Sequence, residues 1–163
     1  MSKHVSENWK VDLDQLLRAS LLCASGLKEN LNDERAALER QNTEALNEAA
    51  ASKQLSLSRL EALETERREI CEVSGFSSRP EDMEEMLKSC DSESSNLERW
   101  NQFVELAREC SELNIKNGAI INLRRQQITG ALSVIRGESQ DNETYSRYGR
   151  DTISNAKRVL AEI

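Results

Sequence analysis

Few side chains of this chain could do covalent chemistry, and none stands in a pattern that would let it. His4 is the only histidine, and it lies ahead of the first helical pattern, where nothing would orient an imidazole as a general base. Cys23, Cys71, Cys90 and Cys110 occur singly, without the close pairing of a zinc or redox motif. Each sits at or beside an apolar position, which makes it a small hydrophobe with a free thiol. Adjacent carboxylates such as Glu84–Glu85 fall in charge-dense sequence, where burial would not tune one of them as an acid. No glycine-rich phosphate loop follows a strand, because no strand is predicted. The expectation is therefore no enzyme, no cofactor and no metal. The chemistry left is recognition. Asn114 and Asn117, set in an apolar stripe, suit hydrogen bonding to the backbone of a guest chain, or to neighbouring helices whose register they would set.

A helix must position these asparagines. Trp100, Phe103, Ala107, Cys110, Asn114, Asn117, Ile121, Arg124, Ile128, Ala131 and Ile135 recur at alternating three- and four-residue steps, which keeps them on one helical face. A mid-helix glycine such as Gly118 costs roughly 1 kcal/mol relative to alanine, so close approach of another backbone is expected there. Ile120, Ile121, Leu123, Ile128, Leu132 and Ile135 together cover more than half of the helix circumference. Some must then lie outside the protein's own core, and this surplus places a binding groove near the C-terminal end of the helix.

Two further stripes precede it. Leu13, Leu17, Ser20, Ala24, Leu27, Leu31, Glu34 and Leu38 follow one three-four rhythm, and Leu46, Ala49, Lys53, Ser56, Leu60, Leu63, Arg67 and Ile70 follow another, offset by one position. The offset predicts a break near Gln41–Thr43 with Asn42 or Thr43 as the cap; one bent helix, or a break at Asn32–Asp33, are the alternatives. Gly75 stops the second helix. Ser78-Arg79-Pro80-Glu81 has the spacing of a capping box for a short helix carrying Met83, Met86 and Leu87, and Ser95 with Glu98 makes a second box for the long helix. The predicted organisation is a helical body over 1–137, with helices at about 7–41, 43–73, 79–90 and 95–136, then a polar hinge and amphipathic tail over 138–163. The fold class is all-α: an elongated antiparallel bundle of about three long helices, a short connecting helix and a flexible C-terminal tail. Ile153, Ala156, Leu160 and Ile163 carry helical spacing in that tail.

Composition agrees with a helical protein and narrows its partners. Charged residues make up 31% of the 163, aromatics 4%, and proline occurs once, the profile of helix-rich chains. A net charge of −7 with interspersed signs disfavours nucleic acid, whose phosphates call for a concentrated basic face. No run approaches the roughly 20 apolar residues of a membrane span, and the first residues carry no apolar core of a signal peptide. A cytoplasmic protein is expected.

The run Leu113-Asn114-Ile115-Lys116-Asn117-Gly118-Ala119-Ile120-Ile121, followed by Leu132, Ile135, Arg136–Gly137 and Tyr148-Gly149-Arg150-Asp151, resembles the FlgN family of flagellar type III export chaperones. Glu34–Arg35, Ala37–Leu38, Lys53, Leu60 and Arg67 are similar to that family's helical hairpin, and the resemblance covers nearly the whole chain. Where the family often has a second glycine after Tyr-Gly, this chain has Thr152, so Tyr145 competes with Tyr148 for the role of the tail tyrosine. The resemblance implies a chaperone that binds the disordered amphipathic C-terminal segments of hook-associated proteins, prevents their premature association and delivers them to the export gate. It implies client contacts from the third long helix and the tail, and a gate contact from the tail tyrosine.

Joined to the apolar surplus, this makes Asn117, Ile120, Ile121, Leu123, Ile128, Leu132, Ile135, Ile153 and Leu160 the expected client-binding residues, and Tyr148 or Tyr145 the gate contact. The free chain is expected to be a monomer or weak dimer. The rival reading is a self-assembling structural or regulatory coiled coil. Polar seam residues (Lys53, Arg67, Asn114, Arg124) and the glycines Gly118 and Gly130 count against a long continuous zipper.

Overall fold

Leu13, Leu17, Ser20, Ala24, Leu27, Leu31, Glu34 and Leu38 wind onto one stripe of helix α1 (Trp9–Arg40), and all eight are buried in the computed structural model of the protein. The structure describes residues 9–90 and 95–137, the side chain of Cys90 excepted. Three more helices follow: α2 (Thr43–Ser74), α3 (Met83–Cys90) and α4 (Ser95–Ile135), with a 3₁₀ turn at Pro80–Asp82 leading into α3. The described residues contain no strand.

The junction of α1 and α2 is two residues long. Gln41 takes a left-handed conformation with φ of 56°, its N–H donating to Leu38 O while the Asn42 N–H donates to Ala37 O. That pair of bonds satisfies the last carbonyls of α1 in the manner usually left to glycine. The Asn42 side chain then accepts from the Ala45 N–H at 3.0 Å, capping α2. The other end of α2 closes by the same bonding, with Gly75 supplying φ of 77° and the Phe76 N–H reaching Cys71 O. The expected Ser78–Glu81 capping box does not form. Arg79 occupies the cap position without a side-chain bond, and Ser78 instead gives its carbonyl to Arg67 at 2.7 Å.

The packing divides the chain into two units, Met1–Arg124 and Arg125–Ile163. Within the first, α1 and α2 run antiparallel with their backbones close together. Small residues permit the approach: Cys23 Sγ donates to Ser56 O, and Asn30 Nδ2 donates to Ser56 Oγ at 2.9 Å. One core cluster joins Leu13, Leu16 and Leu17 of α1, Leu63, Ile70 and Cys71 of α2, Met83, Met86 and Leu87 of α3, and Trp100 of α4. A smaller one joins Leu27, Leu31 and Cys110. Helix α4 lies parallel to α1 at a constant offset of 86 residues: Cys110 Sγ donates to Ala24 O, and Asn117 Nδ2 to Leu31 O. The ion pairs Arg99–Asp14 and Lys28–Glu109 lie along the same contact.

Close backbone approach at Gly118 is not found. Nothing lies within 4 Å of the position a Cβ would occupy there, and the same holds for Gly130. With no steric reason for glycine, Gly118→Ala is expected to stabilise the protein by about 1 kcal/mol through helix propensity. Urea unfolding checks this; a lower midpoint would show that a neighbour needs the space.

Candidate protein-binding surfaces

Three polar side chains fix how α4 meets the hairpin. Glu34 of α1 accepts from Lys53 Nζ of α2 at 2.5 Å with one carboxylate oxygen and from Asn117 Nδ2 of α4 at 2.9 Å with the other. Asn117 also donates to Leu31 O. A buried carboxylate is costly unless its oxygens are satisfied, and here each oxygen has a donor from a different helix. Asn117 is 1% exposed, and its Oδ1 alone has no hydrogen-bond partner. This residue sets register inside the bundle and is not presented to a guest, which corrects its place among the client contacts. Asn114, expected on the same buried face, is exposed, as is Ala107. The inward face of α4 passes instead through the partly buried Phe103, Leu106 and Leu113 beside Cys110 and Asn117.

That inward face continues in helical phase through Ile121 and Arg124, both half-buried. The offset of 86 matches Leu38 to Arg124, and α1 ends two residues after Leu38. In the second unit, Ile128 is 61% exposed, Leu132 44% and Ile135 80%, with Val134 exposed on the flank. In the first unit, Ile120 is half-buried and Leu123 exposed. Apolar side chains repeated along one helix face and open to water suit the seating of another amphipathic segment. Ile153, Leu160, Tyr145 and Tyr148 lie outside the described residues.

A separate apolar cleft of about 460 Å³ opens within the first unit between α2 and α4, floored by Ala24, Leu27 and Leu31. Leu57 and Leu60 line one wall, and Phe103, Ala107, Cys110 and Asn114 the other. At one end, the buried Arg67 bridges the walls. Its guanidinium pairs with Glu64 at 2.8 Å, donates to Ser78 O and stands 5.8 Å from the centre of the Trp100 ring, within cation–π range. The Arg67 hydrogen bond holds the Glu64 carboxyl below its ordinary pKa, opposed by partial burial and aided by Arg68. Burial raises the pKa of the Cys71 and Cys110 thiols, which keeps them protonated and poor nucleophiles. Among the described residues no group of histidine, cysteine and acidic side chains is arranged to hold a metal ion.

The described residues thus form a long helical hairpin, a short third helix and a long final helix that carries exposed apolar side chains. The family model described as FlgN protein matches residues 10–152. The chain belongs to the FlgN family. No curated protein and no solved structure matches it. Membership in FlgN supports a flagellar export chaperone in general terms, and no described helix is long and apolar enough to cross a membrane. For this FlgN-family chain, the cleft between α2 and α4 is the feature that stripe reading missed. Its signal was present in Leu57, one turn before Leu60, facing the small residues Ala107 and Ser111, but pairing those positions across two helices requires the tertiary register.

Proposed function

We propose that this chain is a cytoplasmic flagellar export chaperone. In this reading it binds the disordered amphipathic C-terminal segments of hook-associated proteins, prevents their premature association and hands them to the type III export gate. One observation supports the proposal: Ile128, Leu132 and Ile135 repeat at helical spacing on α4 and stand exposed. Clients anchor there in the helix-in-groove manner, with Ile120, Ile121 and Leu123 extending the contact and Ile153 and Leu160 of the 138–163 tail adding to the grip. Ordering a disordered client consumes several kcal/mol of contact energy, which keeps the complex reversible, as handover demands. The free chaperone is a monomer or weak dimer.

Pull-down with peptides from the C-terminal segments of hook-associated proteins tests this. Saturable capture of at least one is expected, and failure to bind any would reject the client assignment. Tyr148, with Tyr145 as its competitor, contacts the export gate: tyrosine in a polar segment presents an apolar ring and a hydroxyl together. Replacing Tyr148 by alanine is expected to leave client affinity within about twofold while weakening binding to the gate by about tenfold. Unchanged gate affinity would move the role to Tyr145 or remove it from the tail.

A further inference from the structure

Helix α3 shows what the slot between α2 and α4 accepts. It is eight residues long and seats Met83, Met86 and Leu87 against Leu13 and Leu17 of α1, Cys71 of α2 and Trp100 of α4. Cys71 shares its face of α2 with Arg67, Leu60 and Lys53, and Trp100 shares its face of α4 with Phe103, Ala107 and Asn114, by helical phase. The same faces line the open cleft. The seat of α3 and the cleft are therefore consecutive lengths of one slot, filled by an amphipathic helix at one end and unfilled beyond the Arg67–Trp100 bridge. The unfilled length runs from Phe103 to Asn114 on α4, about 16 Å or three helical turns.

We infer that this open length is a docking slot for a second amphipathic helix, supplied by a partner protein and carrying apolar side chains on one face with a lysine or arginine beside them. The apolar requirement follows from the floor of Leu27 and Leu31 and the wall of Leu57 and Leu60. The basic requirement follows from the rim. Glu61 lines the cleft, and the side-chain hydrogen bond made to it goes to its backbone carbonyl, which accepts from Thr65 Oγ1. Its carboxylate has no ion pair among the described residues. Lys53, the cation on that rim, is already held by Glu34. A guest of three turns is too short to be helical alone, so it folds as it docks. This deepens the chaperone reading and rests on it for the nature of the partner.

A designed peptide with leucines at helical spacing and lysines elsewhere, labelled for fluorescence anisotropy, tests the slot on the full chain without any flagellar client. Its affinity is expected to fall about tenfold, or 1.4 kcal/mol, in Ala107→Trp and in Ser111→Trp, which fill the cleft from exposed positions. It is expected to fall about threefold in Glu61→Gln at low salt and to be unchanged in Leu22→Asp, on an exposed part of α1. Wild-type affinity in both tryptophan variants, or equal binding of a scrambled peptide, would overturn the inference. If the tryptophan variants lose stability, alkylation of a cysteine introduced at the exposed cleft position by Ser111→Cys decides. Saturating peptide is expected to slow it several-fold, and an unchanged rate would overturn the slot. Absence of binding to hook-associated peptides alone would reject the client assignment and leave these readouts standing.

Discussion

Ile128→Asp is expected to lower client affinity by about 100-fold or more while leaving helix content and melting temperature close to wild type. The two halves have separate physical origins. Ile128 is already 61% exposed, so the folded state loses little packing, and an exposed substitution of this kind shifts stability by about 0.5 kcal/mol. In the proposed complex a docked client covers the position. The complex then loses about 2 kcal/mol of isoleucine burial and must also desolvate a carboxylate with no partner, which together exceed the 2.7 kcal/mol of a 100-fold change. Leu132→Asp should act in the same direction with a smaller contrast, since Leu132 is the less exposed of the two. Isothermal titration with a client peptide, paired with circular dichroism of each variant, gives both readings. Unfolding would mean the face is core; retained affinity would put the client elsewhere.

Glu34→Ala is expected to cost about 3 kcal/mol of folding stability. The mutation strips the acceptors from two donors at once, Lys53 Nζ and Asn117 Nδ2, and breaking a buried ion pair by removing one member typically costs about 3–5 kcal/mol. The lower end applies, because Lys53 keeps some exposure and can turn its ammonium to water, whereas the buried Asn117 retains only Leu31 O. Glu34→Gln preserves shape and one acceptor and should lose about half as much. Urea denaturation of both variants checks the order. A loss below about 1 kcal/mol for the alanine variant would show that the three-helix clasp contributes little beyond what α1, α2 and α4 gain from apolar packing.

The helices of this protein were legible because their periodicity is local. Each of the eight spaced positions from Leu13 to Leu38 is buried, polar Ser20 and Glu34 included, since the phase of a stripe decides which way a side chain faces whatever its chemistry. The α1–α2 junction was readable for a related reason: a one-residue phase slip between stripes cannot be carried by a straight helix, and Asn42 stood ready to cap. On α4 the phase alone did not suffice. Its one predicted stripe ran through Ala107 and Asn114, which are exposed, whereas Leu106 and Leu113 on the flank are partly buried.

Gly118 was misread because a glycine's cost is visible in sequence while its cause is not. Asn117 shows the same divide: its place on the stripe was evident, but whether its amide would serve a guest or the bundle depended on where Glu34 and the Leu31 carbonyl came to lie. The α2–α4 cleft went unseen because its walls are contributed by residues about fifty positions apart. Sequence alone therefore determined which segments are helical, favoured Gln41–Thr43 over Asn32–Asp33 as the place where two of them part, and showed that apolar residues outnumber the places to bury them. Only tertiary structure decided which of those residues stay uncovered, because the 86-residue register between α1 and α4 turns Leu106 and Leu113 inward and leaves Ala107 and Asn114 exposed, a relation no single helix records.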